Sequence, residues 1–158
     1  MKGDEEMSEV RVVEPGAGHR LAYLDGTVMS FLARGADTHE TLSLWELTVP
    51  AGGRGPLPHV HHGHDELFYV LDGDLTLRSA EESFVVSKGG LVIVPRGAEH
   101  TFSNEGLTEM RMIGTFSPPK FEHYFDELAH EIEKHNGKRP APAVIAQLYA
   151  KYDSELRV

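Results

Sequence analysis

From Leu21 to Phe116 the apolar residues fall in short runs, many of them alternating with polar ones, and the runs are separated by glycine, proline, aspartate or asparagine. A period of two with β-branched and aromatic residues is the signature of half-buried strands. Residues 21–24, 27–34, 42–49, 66–71, 75–77, 83–87, 91–94, 100–102 and 109–116 read as strands, and residues 10–13 as a possible short strand before them. Asp25-Gly26 and Asp72-Gly73 mark tight turns. Many short strands at even spacing with glycine-rich turns predict an all-β sandwich or barrel.

The period changes after Ser117-Pro118-Pro119. Phe121, Tyr124, Phe125, Leu128 and Ile132 recur at helical spacing, and Asn136-Gly137 is a helix stop. Pro140-Ala141-Pro142 can start a second helix with Val144, Leu148 and Tyr152 on one stripe. Both helices are too short to stand alone, so they must pack on the barrel or on a partner subunit. The expected organisation is a flexible N-terminal tail over residues 1–9 and one domain over 10–158. In it a barrel spans about 19–116 and a helical extension about 117–158. The helices carry more apolar surface than a small barrel needs, and exposed sheet edges gain from being covered, so a homodimer is expected.

Composition narrows the partners. The chain has 158 residues and 40% hydrophobic content, ordinary for a globular domain. A formal charge of −10 argues against nucleic acid or an anionic membrane, which need basic patches. No apolar run approaches the roughly 18 residues of a membrane span, and the N-terminus lacks a signal-like apolar region, so a cytoplasmic protein is expected. There are no cysteines, so any metal must sit on nitrogen and oxygen.

One stretch concentrates such donors. His59 to Glu66 holds four histidines, with Asp65 and Glu66 beside them. Side chains two apart on a strand share a face, so His59 and His61 aim inward together. His62-Gly63-His64-Asp65 reads as a hairpin loop, with Glu66 opening the return strand. A second stretch, residues 89–104, ends a short strand in Pro95-Arg96-Gly97 and opens the next with His100. Three imidazoles and one carboxylate suit a divalent ion: iron, manganese, nickel, cobalt, copper or zinc. His62 and His64 read as solvent-facing loop residues, His64 with a weaker claim to a place at the mouth as an acid or base. Phe68 and Val70 share the parity of Glu66, and Phe102 that of His100, so these face the interior as core or pocket wall. Met29, Phe31, Met110 and Met112 read as core.

Both stretches resemble the cupin motifs in every spacing. The first runs Gly53, five residues, His59-x-His61, four residues, Glu66, six residues, Gly73. The second runs Gly89, five residues, Pro95-x-Gly97, two residues, His100, three residues, Asn104. Many relatives carry an acid after the first glycine of the second motif, where this chain has Gly90. The resemblance implies a small jelly-roll (double-stranded β-helix) cupin barrel with one metal in its mouth, held by His59, His61, Glu66 and His100. The run PLPHVHHGHDELFYVLDGDL, followed by two helices, looks like the single-domain quercetin-dioxygenase-like group. That likeness implies oxidative cleavage of a small enolisable or flavonol-like substrate, with Glu66 as both ligand and base. The alternatives are a non-redox isomerase or cyclase using the metal as a Lewis acid, and a small-ligand binding or sensing module without turnover. No DNA-binding helix pair accompanies the barrel.

Overall fold

A computed structural model describes residues 9–157. The alternation seen in the sequence becomes two antiparallel sheets facing each other. Ten strands follow in order: β1 (His19–Ala22), β2 (Val28–Ala33), β3 (Ser43–Val49), β4 (His59–His61), β5 (Asp65–Asp72), β6 (Asp74–Ser79), β7 (Ser83–Ser87), β8 (Leu91–Val94), β9 (His100–Ser103) and β10 (Met110–Ser117). After β10 come helix α1 (Glu122–Lys134), helix α2 (Pro142–Lys151) and a last short strand, β11 (Ser154–Leu156). One sheet has the order β1-β2-β3-β10-β5-β8, the other β11-β4-β9-β6-β7. Strict in–out alternation along β3 and β10 sends Trp45, Leu47, Val49, Met110, Met112 and Phe116 into the space between the sheets. The architecture is that of a small cupin barrel with C-terminal helices.

Two sequence expectations change here. Residues 10–13 form no strand and are exposed. Of the expected tail only Glu9 lies within the described residues. The loop 62–65 is not a hairpin: β4 and β5 belong to opposite sheets, so the chain crosses the barrel between His61 and Asp65 instead of folding back on itself. The crossing sets Glu66 on the sheet that faces the histidines.

Close backbone approach seats β4. A Cβ on Gly55 would lie 2.0 Å from the Phe102 carbonyl oxygen, so only glycine lets the incoming loop lie against β9. Gly73, at φ +71°, makes the crossing between sheets from β5 to β6.

The helices pack on the barrel. Tyr124, Phe125, Leu128 and Ile132 of α1 are buried, as are Ile145, Leu148 and Tyr149 of α2. The buried stripe of α2 is thus one residue off the Val144–Leu148–Tyr152 stripe expected from sequence; Val144 and Tyr152 are only partly covered. Arg34, at the end of β2, anchors α1 by a forked pair with Asp126 (2.6 and 3.0 Å) and a contact to Glu122 at 3.4 Å. Since both helices spend their apolar faces on the barrel, the surplus surface that suggested a dimer is not on the helices. It lies on the outer face of β5 and β8. No helix among the described residues is long and apolar enough to cross a membrane.

Candidate metal centre

His59, His61, Glu66 and His100 are all buried, and one potential donor atom from each lies within 4.8 Å of the others. The fold explains the meeting. His59 and His61 share the inward face of β4, and His59 pairs directly with His100 on β9. Glu66 reaches across from β5, where its carboxylate lies 2.9 Å from His100 Nε2 and 3.2 Å from His61 Nε2.

Each imidazole is fixed from behind. His59 Nδ1 lies 2.7 Å from the Leu57 carbonyl oxygen and His100 Nδ1 lies 3.1 Å from that of Ala98. Carbonyls only accept, so these Nδ1 atoms carry the hydrogens; the Nε2 of His59 turns to the centre, and that of His100 points at Glu66 Oε2. His61 Nδ1 is held by Ser154 Oγ at 2.7 Å. Its Nε2 is buried and has no aligned hydrogen-bond partner among the described residues, despite the nearby Glu66 oxygen. A buried ring nitrogen whose nearest partner is a poorly aligned carboxylate oxygen at 3.2 Å is incompletely satisfied unless something else binds it. The donor set, the imidazole orientations and this incompletely satisfied atom all fit a divalent ion on nitrogen and oxygen.

Electrostatics agree with a paired, anionic carboxylate. Burial alone would push the Glu66 carboxyl up, but the nearby His61 and the contacts from His100 and His64 together outweigh it and hold it well below the usual range. Burial drives His59 well down, helped by its two imidazole neighbours. Burial also lowers His61, with Glu66 opposing it. In His100 the hydrogen bond and charge of Glu66 overcome burial and raise the imidazole.

His64 corrects the sequence reading. It is 3% exposed and not a surface loop residue; its Nε2 lies 3.4 Å from Glu66 Oε1, and its ring stacks on Phe121 at 4.9 Å. Parity could not show this, because the segment is a crossing and not a regular strand. His62 is exposed, as expected. Phe68, Val70 and Phe102 point inward, and Met29, expected as core, also lines the central space. Residues missed from sequence come from beyond β10: Phe121, Phe125 and Tyr149 close over the centre, with Tyr149 stacked on His59 at 5.2 Å. The free space at the centre is only about 30 Å³. That is room for about one or two waters.

In comparison with known proteins, residues 45–116 match the Cupin domain family. That stretch is just under half of the chain and includes all four candidate donors. It is 31% identical over 49% of its length to an uncharacterized protein, MJ1618, of Methanocaldococcus jannaschii, covering 61% of that protein. It is 27% identical over 78% of its length to quercetin 2,3-dioxygenase of Bacillus subtilis, covering 36% of that enzyme. The chain therefore spans about a third of the dioxygenase and about three fifths of MJ1618. Among solved structures it is similar to the polyketide cyclase RemF of Streptomyces resistomycificus, at a TM-score of 0.62 and 21% identity over 70% of this chain and 80% of that one. That likeness concerns the fold.

Proposed function

We propose that His59, His61, Glu66 and His100 hold one divalent ion and that the protein is a metal-dependent oxygenase of a small enolisable molecule. The observation that carries the reading is the buried four-donor cluster with its incompletely satisfied His61 Nε2. Partial likeness to a quercetin dioxygenase supports the choice of reaction. A bound divalent ion supplies Lewis acidity and, when redox-active, a route for electrons to dioxygen.

The protein's own groups do the rest. Glu66 is buried at the centre, and we assign it the role of taking the proton of an enol or hydroxyl group. His64, touching the same carboxylate, limits how Glu66 can turn. Trp45, Phe68, Phe102 and Phe116 form apolar walls that exclude water and favour a planar or partly apolar guest. Any organic substrate has to displace some of Phe121, Phe125 and Tyr149, a flavonol by more than a compact β-diketone. The test is oxygen uptake by iron-, manganese-, nickel-, cobalt- and copper-loaded protein with β-diketones and flavonols. Uptake that needs both metal and Glu66 supports the reading. A metal-bound protein that consumes no oxygen with any of them gives way to the Lewis-acid isomerase or cyclase, or to a ligand-binding module.

We also propose a homodimer through the outer face of β5 and β8. Leu67 pairs with Ile93 and Tyr69 with Leu91, and all four side chains are exposed, Ile93 by 69%. β8 ends its sheet, so an open edge adjoins an apolar patch. A second copy related by a two-fold axis presents the same patch and covers both. Light scattering at micromolar concentration should give twice the 17.5 kDa chain mass, and a value near the chain mass counts against the pairing.

A further inference from the structure

The C-terminal strand lies outside the matched cupin region, yet it touches the centre. β11 runs antiparallel to β4 with Ser154 opposite His61 and Leu156 opposite His59. Directly opposed residues point to the same face, so Ser154 enters the barrel beside His61. The alignment is fixed at both ends: the His62 amide donates to the Asp153 carbonyl at 2.9 Å and the Arg157 amide to that of Pro58 at 2.7 Å.

The hydrogen-bond directions then follow. Ser154 Oγ lies 3.0 Å from the Tyr152 carbonyl oxygen, which can only accept, so the hydroxyl hydrogen is used there. Ser154 Oγ must therefore accept from His61 Nδ1–H at 2.7 Å, and the Nε2 lone pair of His61 is directed into the donor cluster. The other two imidazoles need no such help. His59 and His100 each open a strand, and the carbonyl two residues earlier curls back to Nδ1. His61 closes β4, and the residue two before it, His59, is already part of the strand. Its orientation depends on a residue 93 positions away.

We infer that Ser154 is a positioning residue for His61, so that the docked C-terminal strand is needed to complete the metal centre. The inference rests on the metal reading above. Partners that orient a ligating imidazole are worth roughly 10–100-fold in metal affinity. Ser154→Ala leaves a buried N–H without an acceptor and frees the ring to turn or to change tautomer.

The experiment is a cobalt titration of the full chain against a competing chelator, reading affinity and the visible absorption of the bound ion. Thermal melting of the metal-free proteins runs alongside. Ser154→Ala should lose roughly 10–100-fold in cobalt affinity and change the absorption bands. Ser154→Thr, which keeps a hydroxyl, should recover most of both, and all three metal-free proteins should still unfold cooperatively. Wild-type affinity and spectrum in Ser154→Ala overturn the inference alone. A wild-type protein that takes no cobalt overturns the metal reading and the inference together. If Ser154→Ala does not fold, long-range proton–nitrogen NMR of the metal-free wild type decides: a proton on His61 Nδ1 supports the assignment, and one on Nε2 overturns it.

Discussion

The barrel and the C-terminal segment are held together by different means. In the barrel, strands are stitched by long backbone ladders; β10 alone pairs with β3 over seven positions and with β5 over seven more. The segment from Pro119 onward relies mainly on side chains. Tyr124 stacks on Tyr149 at 4.8 Å and Phe121 on Tyr124 at 4.7 Å; Arg34 grips Asp126, and Arg139 reaches Asp25 at 2.9 Å. Among the described residues its one ladder is the three-residue pairing of β11 with β4. The barrel supplies all four candidate donors, whereas the C-terminal segment covers them with Phe121 and Tyr149 and holds His61 through Ser154. A donor set can thus be complete in one part of a chain while access to it and its geometry are set by another.

Breaking the barrel's contribution should have the largest effect. Alanine at His59, His61 or His100 should cut metal affinity by more than the roughly 100-fold upper range for an orienting partner, because a ligand itself is lost. Circular dichroism should show the barrel intact, since its core comes from the apolar residues of the sheets. An alanine variant of His61 with full metal occupancy would remove that residue from the site.

Loosening the C-terminal segment should come next. Leu128 is fully buried between α1 and the barrel. Leu128→Ala should cost about 2–5 kcal/mol, read by urea unfolding. Amide hydrogen exchange should rise first in α1, α2 and β11 while β3, β5 and β10 stay protected, since locally opening units are those with few ladder bonds. Uniform loss of protection over both regions would mean that they open as one unit.

Smaller effects separate neighbouring residues. His64→Ala removes a buried contact to Glu66 and should lower metal affinity by roughly tenfold, the low end for an orienting partner. His62→Ala, on the exposed side of the same crossing, should leave it unchanged. Ile93→Lys should change stability by no more than about 0.5 kcal/mol, as for most surface substitutions, yet give a monomer by light scattering.

The sequence made the barrel legible because in–out alternation and glycine spacing are local. The positions of His59, His61, Glu66 and His100 follow from strand parity and motif spacing within two short stretches. Parity failed at His64, where the chain crosses between sheets. Helical spacing missed at α2, where the buried stripe of Ile145, Leu148 and Tyr149 is shifted by one residue. Ser154 carried no signal: a serine near the end of a chain gains meaning only once β11 pairs with β4. The small central space was hidden for the same reason, because Phe121 and Tyr149 are far from the motifs and read as ordinary amphipathic helix.

The most direct test is elemental analysis of the protein purified without added metal or chelator, with the His59→Ala variant prepared in parallel. The account predicts about one divalent transition metal or zinc per wild-type chain and a small fraction of that in the variant. A wild-type protein that is metal-free as purified and takes up neither zinc nor cobalt on titration, or a variant loaded as fully as the wild type, would contradict it.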